Sequence, residues 1–176
     1  MQKDKYTFFT QNGIFGLLIG ISFIAVSFVY YTTGQSVSVN PQLNSVTMLL
    51  SITGAFIGCR KYREDCLNGI ISYGKALITC IYLIFIAAIL YGIYIAILYH
   101  YDPSSQTAYF AMLEQTGVMF EKIYATSPLS GEIENALQML KTPFAIAFSV
   151  TFDKIFMGTI FSLFLAGMLR KSEKRF

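Results

Sequence analysis

The sequence predicts an all-α integral membrane protein with four transmembrane helices. Both termini are expected to be cytoplasmic, and an amphipathic helical segment to lie on the outer side between helices three and four. Three observations carry this. The 176 residues are 55% hydrophobic and 13% charged, whereas a soluble domain is about 45–50% apolar and about 25% charged. Four apolar runs, at about residues 13–33, 41–59, 70–101 and 143–169, each approach or exceed the roughly 20 residues that cross a hydrocarbon core. Ten of the thirteen Lys and Arg residues form three clusters: Lys3/Lys5, Arg60/Lys61/Arg63/Lys75 and Arg170/Lys171/Lys174/Arg175. The positive-inside rule puts all three on the cytoplasmic face. The length suits one membrane domain spanning residues 1–176.

The first run follows Lys3 and Lys5, as a signal peptide would. Its apolar part exceeds a signal core of about 7–15 residues, and Phe28-Val29-Tyr30-Tyr31 offers no small-x-small cleavage site, so it reads as a retained span. Asn40-Pro41 is a helix start, with a capping side chain followed by a residue that loses nothing at the first position. The stretch from Arg60 to Asn68 is too polar for lipid and reads as the cytoplasmic turn. In the third run Lys75 can snorkel to the headgroups. Residues 104–141 form the water-facing outer part, which is net acidic. Within it Phe110, Leu113, Gly117, Phe120 and Tyr124 recur at three- and four-residue steps. After a Ser127-Pro128 breaker, Ile133, Leu137 and Leu140 suggest a second, shorter helix. The longer helix could fold onto the membrane, cap the bundle or present a partner surface. Thr142-Pro143 starts the last run as Asn40-Pro41 starts the second.

Few residues suggest chemistry. Asp153 and Lys154 are the one charged pair inside an apolar run, and an ionisable residue in a span is by default a functional candidate. Fifteen steps separate Lys154 from Leu169, about 22 Å of helix, which leaves the pair in the outer third of the core. There it either snorkels or pairs locally, or serves an ion or substrate. His100 lacks companions at ligand spacing and reads as interfacial. Cys59, Cys66 and Cys80 fit neither a zinc site nor a disulfide framework, and read as packing residues. No nucleophile, metalloprotease or phosphate-loop motif is present, so neither catalysis nor a cofactor is expected. The pI near 8.7 could suggest nucleic acid. The bases flank apolar runs instead of forming a stripe, however, which favours lipid headgroups.

Small residues recur at four-residue steps in all four runs: Gly16/Gly20, Gly54/Gly58, Ala88/Gly92/Ala96 and Gly158/Ser162/Ala166. Such spacing lets helices approach closely in lipid. Gly16/Gly20 and Gly54/Gly58 are expected to face each other.

The stretch Gly58-Cys59-Arg60-Lys61-Tyr62-Arg63-Glu64-Asp65, followed by Asn68-Gly69-Ile70-Ile71-Ser72-Tyr73-Gly74-Lys75-Ala76-Leu77, resembles a bacterial four-span membrane family known as domain of unknown function 4199. The family pattern has Arg followed directly by Asp where this chain has Arg63-Glu64-Asp65, and Phe is common where Tyr73 stands. The resemblance implies an inner-membrane location and supplies no activity. Within the matched stretch, Gly69 and Gly74 are expected to permit close packing. Arg60, Lys61, Arg63 and Lys75 are expected to form a patch for anionic headgroups or a partner. The resulting expectation is a non-enzymatic accessory or scaffold subunit that contacts lipid and either a membrane-protein partner or copies of itself. The alternative is a component of a small oligomeric transporter or lipid-carrier flippase.

Overall fold

The computed structural model describes residues 2–102, 106–112, 114–115 and 141–171. Four long helices dominate it: α1 Gln2–Thr32, α2 Pro41–Cys66, α3 Tyr73–Tyr101 and α4 Pro143–Leu169. Each is long and apolar enough to cross a membrane, with mean hydropathies of 2.2, 1.3, 2.6 and 1.5 in the most apolar windows. Only 28–39% of those windows is buried inside the bundle. The apolar surface therefore points mostly outward, as it must where the solvent is lipid. The short helical stretch at residues 107–112 begins the expected outer helix. The rest of that helix, including Gly117, Phe120 and Tyr124, and the expected second helix from Ile133 lie outside the described residues.

The helix starts follow local chemistry. The Asn40 side chain accepts from the amides of Gln42 and Leu43, and Thr142 accepts from Ala145, each ahead of a first-position proline. Three boundaries differ from expectation, one of them because Ser72 caps α3 and starts it at Tyr73 instead of residue 70. Helix α1 extends back to Gln2. Helix α2 runs on through the expected turn to Cys66, because Arg60–Glu64 and Lys61–Asp65 pair at i,i+4 spacing and make a polar helix end stable in water. The turn comes later. The amides of Leu67 and Gly69 both return to the Arg63 carbonyl, and Asn68 and Gly69 take positive φ values of 51° and 80°.

Close contacts fix the helix directions. Gly16 lies under Ile86 and Gly20 under Leu90, so α1 and α3 run parallel. Gly54 meets Ile19 and Gly58 meets Phe15, so α2 returns against α1. Gly158 abuts Ile84 and Gly92 abuts Thr151, so α4 returns against α3. Helix α3 is the central element, packed along both α1 and α4. It buries Ala76, Cys80, Leu83, Ala87, Tyr91 and Ile95 at three- and four-residue steps.

The two glycine pairs do not face each other. Gly16 and Gly20 receive α3, where larger side chains sit over them, while Gly54 receives α1 and Gly58 both α1 and α3. Gly69 and Gly74 have open space where a Cβ would be, so neither serves close packing. Gly69 is instead required by its left-handed backbone.

Hydrogen bonds tie both ends of the bundle. At the basic end, Arg63 Nη1 donates to the Leu169 carbonyl (3.1 Å), and an isolated antiparallel bridge joins Ile71 to Lys171. At the far end, Tyr31 donates to Asp102 (2.9 Å), the Ser38 and Tyr99 hydroxyls bond, and Gln106 donates to the Tyr99 carbonyl (2.7 Å).

Candidate functional site

Helix α4 is 27 residues long, about 40 Å, and overshoots a hydrocarbon core of about 30 Å. Lys154 stands eleven residues, about 16 Å, from its first residue, which places its backbone in the half nearer the far end. The Cα–Cβ bonds of a helix tilt toward its N-terminus, so a lysine here leans toward the far end. Its ammonium turns onto α2 instead of extending into solvent. Lys154 is only 8% exposed, and its ammonium donates to Thr47 Oγ1 (2.9 Å) and to Asn44 Oδ1. Where snorkelling would extend the side chain outward, Lys154 is bonded to two oxygens of α2.

Those oxygens belong to a polar stripe. Asn44, Thr47 and Ser51 follow each other at three- and four-residue steps on α2. The Thr47 hydroxyl donates back to the Leu43 and Asn44 carbonyls (both 3.0 Å) and Ser51 to the Thr47 carbonyl (2.9 Å). With its proton used on the backbone, the Thr47 oxygen is left as an acceptor for Lys154. The three polar residues and Lys154 were each visible in the sequence. Pairing them required knowing that α2 and α4 adjoin.

Asp153, one step away and so about 100° around the helix, is exposed. No ion pair joins it to Lys154 or to any other cation among the described residues. Local pairing is therefore also not what is found. Both residues line a cleft of about 150 Å³ between α2 and α4, with Met48, Met157 and Phe161 as its apolar walls. They also line a second space of about 370 Å³ nearer the far end, roofed by the Val37–Pro41 connector with Tyr109 and Met112. Ser45, Met48 and Met157 are exposed, so the smaller cleft opens sideways. In a bundle that spans a membrane, that side faces lipid.

The four bases expected to form one patch have different surroundings. Arg60 and Lys61 are exposed and pair with Glu64 (2.9 Å) and Asp65 (4.0 Å). Arg63 turns inward to the Leu169 carbonyl, with 16% of its side chain exposed and Glu64 at 3.2 Å. Lys75 is exposed in the first turn of α3. His100 is exposed and meets Tyr101 edge-on. Cys59 and Cys80 are buried, and Cys66 bonds Gln11 (2.6 Å). Among the described residues, no group of three or more His, Cys, Asp or Glu is arranged to hold a metal ion.

No curated protein and no solved structure matches the chain. A family model described as "Protein of unknown function (DUF4199)" matches residues 14–171, nearly the full length, and the chain belongs to that family.

Proposed function

We propose that this chain is a non-enzymatic protein of the bacterial inner membrane that binds the anionic head of a membrane amphiphile in the cleft between α2 and α4. It would act as a lipid-handling component of an oligomer or a larger membrane assembly. One observation carries the reading: a buried ammonium held, among the described residues, by two neutral oxygens, at a cleft with a polar floor, apolar walls and a sideways opening. Burying a charge without a counter-charge costs several kcal/mol. An ammonium has three donors, and α2 takes two of Lys154's. A phosphate or carboxylate entering from lipid would meet the third donor and neutralise the charge, while its hydrocarbon lay along Met48, Met157 and Phe161.

The positive-inside rule supports a cytoplasmic basic end, with the cleft then serving the outer leaflet. An accessory role acting through the central basic loop has less support. Arg63 is occupied inside the bundle, and Arg60 and Lys61 are neutralised locally.

Native mass spectrometry of the full chain, released from membranes in mild detergent, tests the proposal. Wild type and Lys75→Gln should retain a bound amphiphile with a phosphate or carboxylate in its head, and Lys154→Gln should lose it. An unchanged lipid complement on Lys154→Gln would refute it.

A further inference from the structure

The cleft holds two opposite charges, and among the described residues one of them has partners. Lys154 is buried and bonded to α2. Asp153 lines the same two spaces but is exposed, and no described cation forms an ion pair with it; the ammonium of neighbouring Lys154, turned to α2, acts on it only through space. Ten residues from the start of α4, about 15 Å along it, an exposed carboxylate lies within the apolar stretch of the last span. A carboxylate left in that position is costly unless a cation meets it. A purely anionic ligand would settle on Lys154 and leave Asp153 both unpaired and repelled.

Resting on the binding role proposed above, we infer that the ligand is zwitterionic: a phospholipid whose phosphate is held by Lys154 and Asn44 and whose primary ammonium is held by Asp153. The chemistry is that of a phosphoethanolamine head. Its two charges are joined by a two-carbon spacer, and its ammonium supplies N–H donors that a carboxylate accepts. A quaternary ammonium has no such donors. Lipid, not a soluble phosphoethanolamine, is the source, because the cleft opens sideways past Met48 and Met157. The Asn44 side-chain amide donates where its carbonyl accepts from Lys154. One phosphate can thus accept a hydrogen bond from each of the two residues.

The test is a native mass spectrometric titration of the delipidated full chain with phosphatidylethanolamine and phosphatidylglycerol of identical acyl chains. Wild type should prefer phosphatidylethanolamine by roughly tenfold or more, the worth of one charge-assisted hydrogen bond. Asp153→Asn should bring phosphatidylethanolamine down to the level of phosphatidylglycerol, and Lys154→Gln should weaken both. Equal affinities in wild type, or a preference that survives Asp153→Asn, would overturn the zwitterion. If Lys154→Gln bound both lipids like wild type, the underlying binding role would fall with it. Displacement of the lipid by equimolar glycerophosphoethanolamine would overturn the lipid source. Protection of buried Cys59 and Cys80 from a thiol dye checks that each variant is folded.

Discussion

Replacing Lys154 with Met should make the delipidated protein more stable, and that sign separates a binding lysine from a structural one. Two terms compete. The substitution removes two charge-assisted hydrogen bonds, to Thr47 and Asn44, worth about 1.5–3 kcal/mol each. It also removes a buried charge whose desolvation costs several kcal/mol and which the Asp153 carboxylate offsets only in part, through space and without an ion pair. The orphaned acceptors lose little: Asn44 is exposed, and the Thr47 hydroxyl keeps its backbone partners. Met fills a similar volume among Met48 and Met157. Exchanges of this kind are neutral or stabilising by about 1–4 kcal/mol. With no tryptophan in the chain, unfolding is best followed through the thiols. Cys59 and Cys80 are fully buried, so a thiol-reactive dye in a Cys66→Ser background reports bundle opening along an SDS titration. Adding phospholipid should stabilise wild type by mass action and leave Lys154→Met unmoved. A loss of more than about 1 kcal/mol in the lipid-free variant would refute the reasoning and make Lys154 a polar staple between two helices.

Glycine substitutions should split by what lies over them. Gly16→Val should cost about 1–3 kcal/mol, since its Cβ would sit 2.8 Å from Ile86 Cβ and 3.0 Å from the Leu83 carbonyl. Gly74→Ala, with open space around it, should be neutral or stabilising by about 0.5–1 kcal/mol in the same titration. Arg63→Gln should lower stability by about 1–3 kcal/mol through loss of the bond to Leu169, whereas Arg60→Gln and Lys61→Gln should each stay within about 0.5 kcal/mol. Single cysteines at exposed Thr33 and Lys171, in a cysteine-free background, should label from opposite sides of intact cells. Labelling from one side would refute the four-span topology.

The fold was legible because its signals are local. Span length, the clustered bases, and the Asn40-Pro41 and Thr142-Pro143 starts need no knowledge of neighbours. What failed needed it. The spacing of Gly16 and Gly20 says that something approaches closely, and nothing in the sequence says that it is α3 instead of the equally spaced Gly54 and Gly58. Gly69 and Gly74 read as packing glycines because a glycine's two uses, closeness and positive φ, look alike in one dimension. The charge from Arg60 onward suggests the end of a helix, whereas i,i+4 pairing extends the helix into water. The site itself was half legible. Lys154 stood out as a charge, while the Asn44, Thr47 and Ser51 stripe passed as ordinary polar residues in an apolar run.

Topology and ligand are coupled through the direction in which Lys154 leans. Side chains on a helix point back toward its N-terminus, and α4 runs from the far end to the basic end, so the ammonium is delivered to the first turns of α2. Had the same lysine stood on α1 or α3, it would have leaned toward the basic end. The cleft therefore belongs to whichever leaflet the far end faces, and the cysteine labelling that fixes the orientation also fixes which leaflet supplies the lipid. With Thr33 labelled from outside, lipid must reach Lys154 from the outer leaflet. Phosphatidylethanolamine confined to the inner leaflet of a reconstituted vesicle should then leave a right-side-out protein unbound, whatever its affinity in detergent.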